Sequence, residues 1–125
     1  MDITTIETRR FEVPDDRLDF GEHGRIDIVH MRDGTVGMHA VFEPGWRWEI
    51  DEKPLLGNPD ACPTAHVGYC IRGELSVHIV ATGQETVIRA GDFFEVPPGH
   101  TAHVRGDQRC ECILFAAVHS PPSIH

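Results

Sequence analysis

Between Gly91 and His103 the chain reads Gly-Asp-Phe-Phe-Glu-Val-Pro-Pro-Gly-His-Thr-Ala-His. Two sharp corners bracket one short apolar run. Proline fixes φ and removes a donor, while glycine supplies the backbone freedom of a tight corner. The chain must therefore turn before Phe93 and again at Pro97–Gly99, and no helix passes through either point. A barrel of short strands uses such corners, and His100 and His103 stand where a strand re-enters its wall.

The rest of the chain follows the same grammar. Strand patterns cover Arg25–Met31, Thr35–Glu43, Thr64–Arg72, Leu75–Val80, Glu85–Arg89, Phe93–Val96, Thr101–Arg105 and Arg109–Val118. Asp33-Gly34 and Ala81-Thr82-Gly83-Gln84 punctuate hairpins between them. Ile3–Val13 alternates loosely and is expected to add an edge strand. Pro14–Gly24 reads as surface loop, with one helical turn conceivable near Pro14–Leu18. Trp46–Ile50 reads as extended, with both indoles on one face. Asp51–Pro63 carries three prolines and a glycine and is expected to form a long loop across an open end. The tail after Val118, with Pro121-Pro122, is expected to be loose. No helical period longer than about two turns emerges. Many short strands at regular spacing define an all-β chain, a sandwich or a barrel.

With 125 residues the chain makes one domain, residues 1–125, with its barrel core over about 35–118. The formal net charge of −9 argues against nucleic-acid binding, which requires a clustered basic face. The N-terminus has no basic start or apolar run, and no stretch reaches membrane-helix length, so a cytoplasmic protein without membrane attachment is expected. There Cys62, Cys70, Cys110 and Cys112 are expected to be reduced. Cys110 and Cys112 lie too close along one strand to bond each other without distortion, yet both face one way. Buried structural thiols are the favoured reading, ahead of a metal or redox pair.

The pattern resembles the cupin superfamily of small jelly-roll β-barrels, over about Thr35 to Val118. The second cupin motif, Gly-x5-Pro-x-Gly-x2-His, is met by Gly91, Pro97 and Gly99, with Ala102 at the histidine position. In the first motif, His-x-His-x3-Glu-x6-Gly, Gly73 is kept. Asp60, Cys62 and His66 occupy the two histidine positions and the glutamate position. Pro44-Gly45 is similar to the proline-glycine that precedes this motif in many cupins. The resemblance implies a cupin-type double-stranded β-helix with an N-terminal extension strand. It does not supply the usual three-histidine, one-glutamate metal site.

The replacements are nevertheless chemically capable. Cys62 and His66 suit a borderline or soft divalent metal, and His100, two residues before Ala102, faces the same way. Cys62, His66 and His100 form a candidate rearranged metal site, completed by Asp60 or water, with zinc or iron favoured and manganese or nickel compatible. His103 is the reserve ligand if the corner is bulged. The alternative is structural: a small buried thiol and hydrogen-bonded imidazoles. Trp46, Trp48 and Tyr69 are candidates to stack a small-molecule substrate, against the commoner outcome of core aromatics. His103 or Tyr69 is the candidate acid or base. The resemblance admits dioxygenase, isomerase and hydrolase chemistry. A non-catalytic ligand-binding or sensor module without metal is the other reading. An edge strand at Ile3–Val13 crossing to a neighbour leads to the expectation of a homodimer.

Overall fold

The computed structural model describes residues 4–116. Nine strands form two antiparallel sheets: β1 (Asp16–Asp19), β2 (Gly24–His30), β3 (Val36–Phe42), β4 (His66–Arg72), β5 (Glu74–Ile79), β6 (Glu85–Arg89), β7 (Phe93–Val96), β8 (His100–Val104) and β9 (Cys110–Ala116). The larger sheet runs β1-β2-β3-β9-β4-β7 and the smaller β6-β5-β8.

Alternation decides which side of each strand meets the core. From the larger sheet, Ile26, Ala40, Phe42, Cys70, Cys110, Cys112, Leu114 and Val96 join the buried cluster. Leu75, Val77, Ile88, Ala102 and Val104 of the smaller sheet join the same cluster. The interior therefore lies between the two sheets, as the alternating sequence requires. The Asp33-Gly34 and Gly83 hairpins join β2 to β3 and β5 to β6 as expected.

Three sequence expectations are corrected. Thr4–Val13 forms no strand. Its Phe11 ring packs on His39, with centroids 5.6 Å apart, on the outer face of β3, and Arg9 donates to the His30 carbonyl at 2.9 Å and pairs with Asp15. Side-chain anchors on a sheet face hold this segment, so its backbone never reaches an edge. The edge belongs to β1, inside the stretch read as loop or helical turn. Asp15 accepts the His30 N–H at 2.7 Å, and Leu18 packs against the core from the strand that follows.

The second correction concerns Trp46–Ile50. Trp48–Asp51 is a helical turn, α1, and a 3-10 turn over Lys53–Leu56 follows it. Asp51 drives the change. One carboxylate oxygen accepts the Arg47 N–H at 2.9 Å, capping the turn, and the other lies 2.9 Å from His23 Nδ1. Pro54 then suits the first turn of the 3-10 segment. Both indoles still face the same interior, each only 2% exposed. Third, the expected long loop over Asp51–Pro63 is thereby shortened to the residues after Leu56. The tail after Val118 lies outside the described residues. No helix among the described residues is long and apolar enough to cross a membrane.

Candidate metal site

The Pro97–Gly99 corner builds one wall of the site. Gly99 adopts φ +91°, a left-handed conformation suited to glycine, and delivers His100 as the first residue of β8. There His100 Nδ1 lies 2.8 Å from the Pro97 carbonyl. A carbonyl only accepts, so Nδ1 carries the proton and Nε2 keeps its lone pair. This is the arrangement by which proteins orient a ligating imidazole.

Cys62 is held opposite. Its N–H donates to the His100 carbonyl at 2.8 Å, and its own carbonyl accepts the Gly99 N–H at 2.8 Å. The end of the loop is thus pinned to the corner. His66 opens β4 in register with Val96. Its Nε2 lies 3.8 Å from Cys62 Sγ, and its ring meets that of His100 nearly edge-on, with centroids 5.3 Å apart. The potential ligand atoms of Cys62, His66 and His100 all lie within 4.8 Å of one another. The sequence-predicted trio is brought together.

Burial sets the protonation states. It pulls His66 down to about 4, with His100 adding to the effect, and it lowers His100 against the pull of the Pro97 carbonyl. Both imidazoles are therefore neutral at pH 7, the form that binds metal. Burial raises the Cys62 thiol. Trp48 lies against that sulfur as a potential donor, although its Nε1 makes no hydrogen bond of good geometry. His66 Nδ1 and Trp46 Nε1 are likewise buried without partners. Each such group costs about 1–3 kcal/mol if nothing fills the need.

These groups line one cavity with about 50 Å³ of free space at its centre. Ile26, Phe42, Leu75, Val77, Ile88 and Leu114 make the rest of its wall mostly apolar. One further polar residue lines it. Glu52 is 8% exposed, has no ion-pair partner among the described residues, and is pushed up to about 7 by burial. A strand over Trp46–Ile50 hides this residue, because Glu52 then falls in the loop that follows. On a helical turn Trp48 and Glu52 are four residues apart and share a face.

Other expectations fare differently. Trp46 and Trp48 line the cavity. Tyr69 points outward on β4 and is 44% exposed, so the structure does not bring it to the site. His103 alternates outward from Ala102 and is paired with Ser76 and bridged to Arg47, so it is neither a reserve ligand nor placed as acid or base here. Asp60 is exposed and does not line the cavity. Ala102 does, at the position where the cupin motif has histidine, and His100 supplies an imidazole from the same strand face.

Two antiparallel sheets around a buried Cys/His pocket define a small jelly-roll-type architecture. No protein-family model matches the chain, and no curated protein matches it in sequence. Solved structures do match. An RmlC-like cupin from Shewanella frigidimarina aligns over 83% of this chain and 86% of its own, at 20% identity and a TM-score of 0.51. KdgF from Halomonas sp. aligns over 84% and 88%, at 21% identity and a TM-score of 0.55. A cupin-like protein from Thermotoga maritima aligns over 78% and 72%, at 20% identity and a TM-score of 0.53. At these identities the shared property is the fold, and the fold is that of the cupins.

Proposed function

We propose that the pocket binds a divalent metal through Cys62, His66 and His100, and that the protein is a metal-dependent enzyme for a small organic molecule. The supporting observation is the convergence of the three ligand atoms within 4.8 Å, with His100 fixed in the tautomer that leaves Nε2 free. The donor set fits the ion: two neutral imidazoles and a thiol that becomes a thiolate on binding suit zinc or iron. Such an ion supplies Lewis acidity at a carbonyl or hydroxyl.

The chain's own residues do the rest. Glu52, pushed up to about 7, can hold a proton or release it near neutral pH, which suits a general acid or base. When ionised it also helps balance a dication held by a single thiolate. The indoles of Trp46 and Trp48, with Phe42 and Leu114, keep water from the cavity and limit the substrate to a small, mostly apolar molecule. A second reading, a metal-free binding module, draws on the apolar wall and the unpartnered indole N–H groups, which would donate to an acceptor on the ligand.

Elemental analysis of untagged protein separates the two. About one zinc or iron per chain, lost in His66→Ala and His100→Ala, supports the metal enzyme. No retained metal after incubation with each ion, together with small acids or carbonyl compounds that raise the melting temperature, would leave the binding module.

A further inference from the structure

A second cluster of soft donors shares no residue with that trio, although Cys112 also lines the wall of the same cavity. Cys70 on β4 stands directly opposite Cys112 on β9, and Cys110 lies two residues before Cys112 on the same face. The three are 0–1% exposed, their sulfurs all lie within 4.8 Å of one another, and the Sγ atoms of Cys110 and Cys112 are 3.9 Å apart. None belongs to a disulfide. We propose that Cys70, Cys110 and Cys112 form a three-sulfur site for a soft monovalent cation, of which copper(I) is the physiological member.

Geometry and coordination chemistry support the assignment. A metal–sulfur bond of about 2.3 Å places the sulfurs of a trigonal ion about 4.0 Å apart, which the Cys110–Cys112 separation already meets. A structural zinc site wants four ligands. Here three donors converge among the described residues, and all three are buried. Thiolates favour copper(I), zinc and iron–sulfur clusters, and of these copper(I) is the one satisfied by two or three of them. The local backbone is shaped to gather the sulfurs. The register of β4 against β9 shifts between Cys70 and Arg72, and Gly73 follows at φ +80°. A Cβ on Gly73 would lie 2.2 Å from the Arg109 carbonyl, so glycine lets the corner close over Cys110.

Burial pushes the Cys70 thiol up to about 11, whereas the hydrogen bond from Cys112 lowers the Cys110 thiol. Copper enters already as copper(I), thiol protons leave to solvent as Cu–S bonds form, and no electron is transferred. Entry has a short path. Cys110 follows exposed Arg109, and Cys70 lies two residues from exposed Arg72, so fraying of this corner uncovers the sulfurs.

The test supplies copper(I) anaerobically to reduced protein against a competing copper(I) chelator, using wild type, Cys62→Ser and Cys110→Ala. The expected result is about one copper(I) per chain in wild type and Cys62→Ser and its loss in Cys110→Ala, with a sulfur-only shell at about 2.2–2.3 Å by X-ray absorption. Copper lost in Cys62→Ser, nitrogen in the metal's shell, or no copper retained against the chelator would each overturn the proposal. If Cys110→Ala does not fold, the absorption spectrum of loaded Cys62→Ser decides alone. Because Cys62→Ser removes a ligand of the other site, failure here is distinguishable from failure of the proposed metal pocket.

Discussion

Glu52 and His66 line the same cavity, and burial pushes their proton affinities in opposite directions. Glu52 moves from 4.5 up to about 7, and His66 from 6.5 down to about 4. The linkage signs are therefore opposite. Between pH 4.5 and 7 the unfolded chain has released the Glu52 proton and the folded chain still holds it, so folding stability falls as pH rises. Between pH 4 and 6.5 the unfolded chain has bound a proton at His66 and the folded chain has not, so stability falls as pH drops. At about 1.4 kcal/mol per pH unit, each group accounts for roughly 3 kcal/mol across its window. In metal-free wild type the two contributions nearly cancel from pH 4.5 to 6.5.

Single variants should uncover what the pair conceals. Glu52→Gln should gain stability over wild type progressively from pH 4.5 to 7, by roughly 3 kcal/mol, and hold that gain above pH 7. His66→Gln should show its greatest advantage at pH 4 and lose about the same amount by pH 6.5. Urea unfolding in the presence of a chelator, read as differences from wild type at each pH, cancels the titration of every other group. With a urea dependence of about 1–3 kcal/mol/M, the midpoint difference should change by about 1–3 M across each window. Parallel pH curves for wild type and both variants would refute the reasoning, because these carboxyl and imidazole groups would then titrate as they do in water.

Two further predictions follow from the same geometry. Gly99→Ala places a side chain at φ +91° with open space around its Cβ, so the cost is backbone strain alone, about 1–3 kcal/mol by chemical unfolding. Because Gly99 holds Cys62 and precedes His100, the same variant should weaken retention of added zinc, and unchanged retention would count against the pinned corner. We also propose that a second copy of the chain covers the outer face that carries Tyr69, Ile71, Phe93 and Phe115, which are 44%, 45%, 71% and 43% exposed, with Tyr69 directly opposite Phe93. Light scattering should give twice the 14.0 kDa chain mass, and Phe93→Asp should halve it. A wild-type mass of one chain would dismiss the idea.

What the sequence made legible is what local punctuation and period-two alternation control. Pro97-Pro98-Gly99 locates the corner, alternation from Ala102 turns His100 inward and His103 outward, and the strands from Arg25 onward lie close to where their patterns place them. Those features depend on neighbours a few residues apart. The N-terminal error has a different cause. Phe11 and Val13 alternate like strand residues, but which edge a weak strand occupies is settled by distant partners, and Asp15 binding the His30 N–H gave the edge to Asp16–Asp19.

Glu52 is the instructive failure, because the error was one of period. Read as a strand, Trp46 and Trp48 share a face and Glu52 is merely one charge in an acidic loop. Read as a turn of helix, Trp48 and Glu52 share a face, and an acid is carried inward beside the tryptophan. What selects the helix is Asp51, whose carboxylate meets the Arg47 N–H and the His23 ring at once. His23 lies 28 residues away, so no window along the chain contains both halves of that clamp. The buried acid is therefore a product of tertiary structure. Its placement also argues for function: an unpaired carboxyl in an apolar wall destabilises the fold when it ionises, and the same cavity holds Cys62, His66 and His100, whose bound ion would stabilise the ionised form.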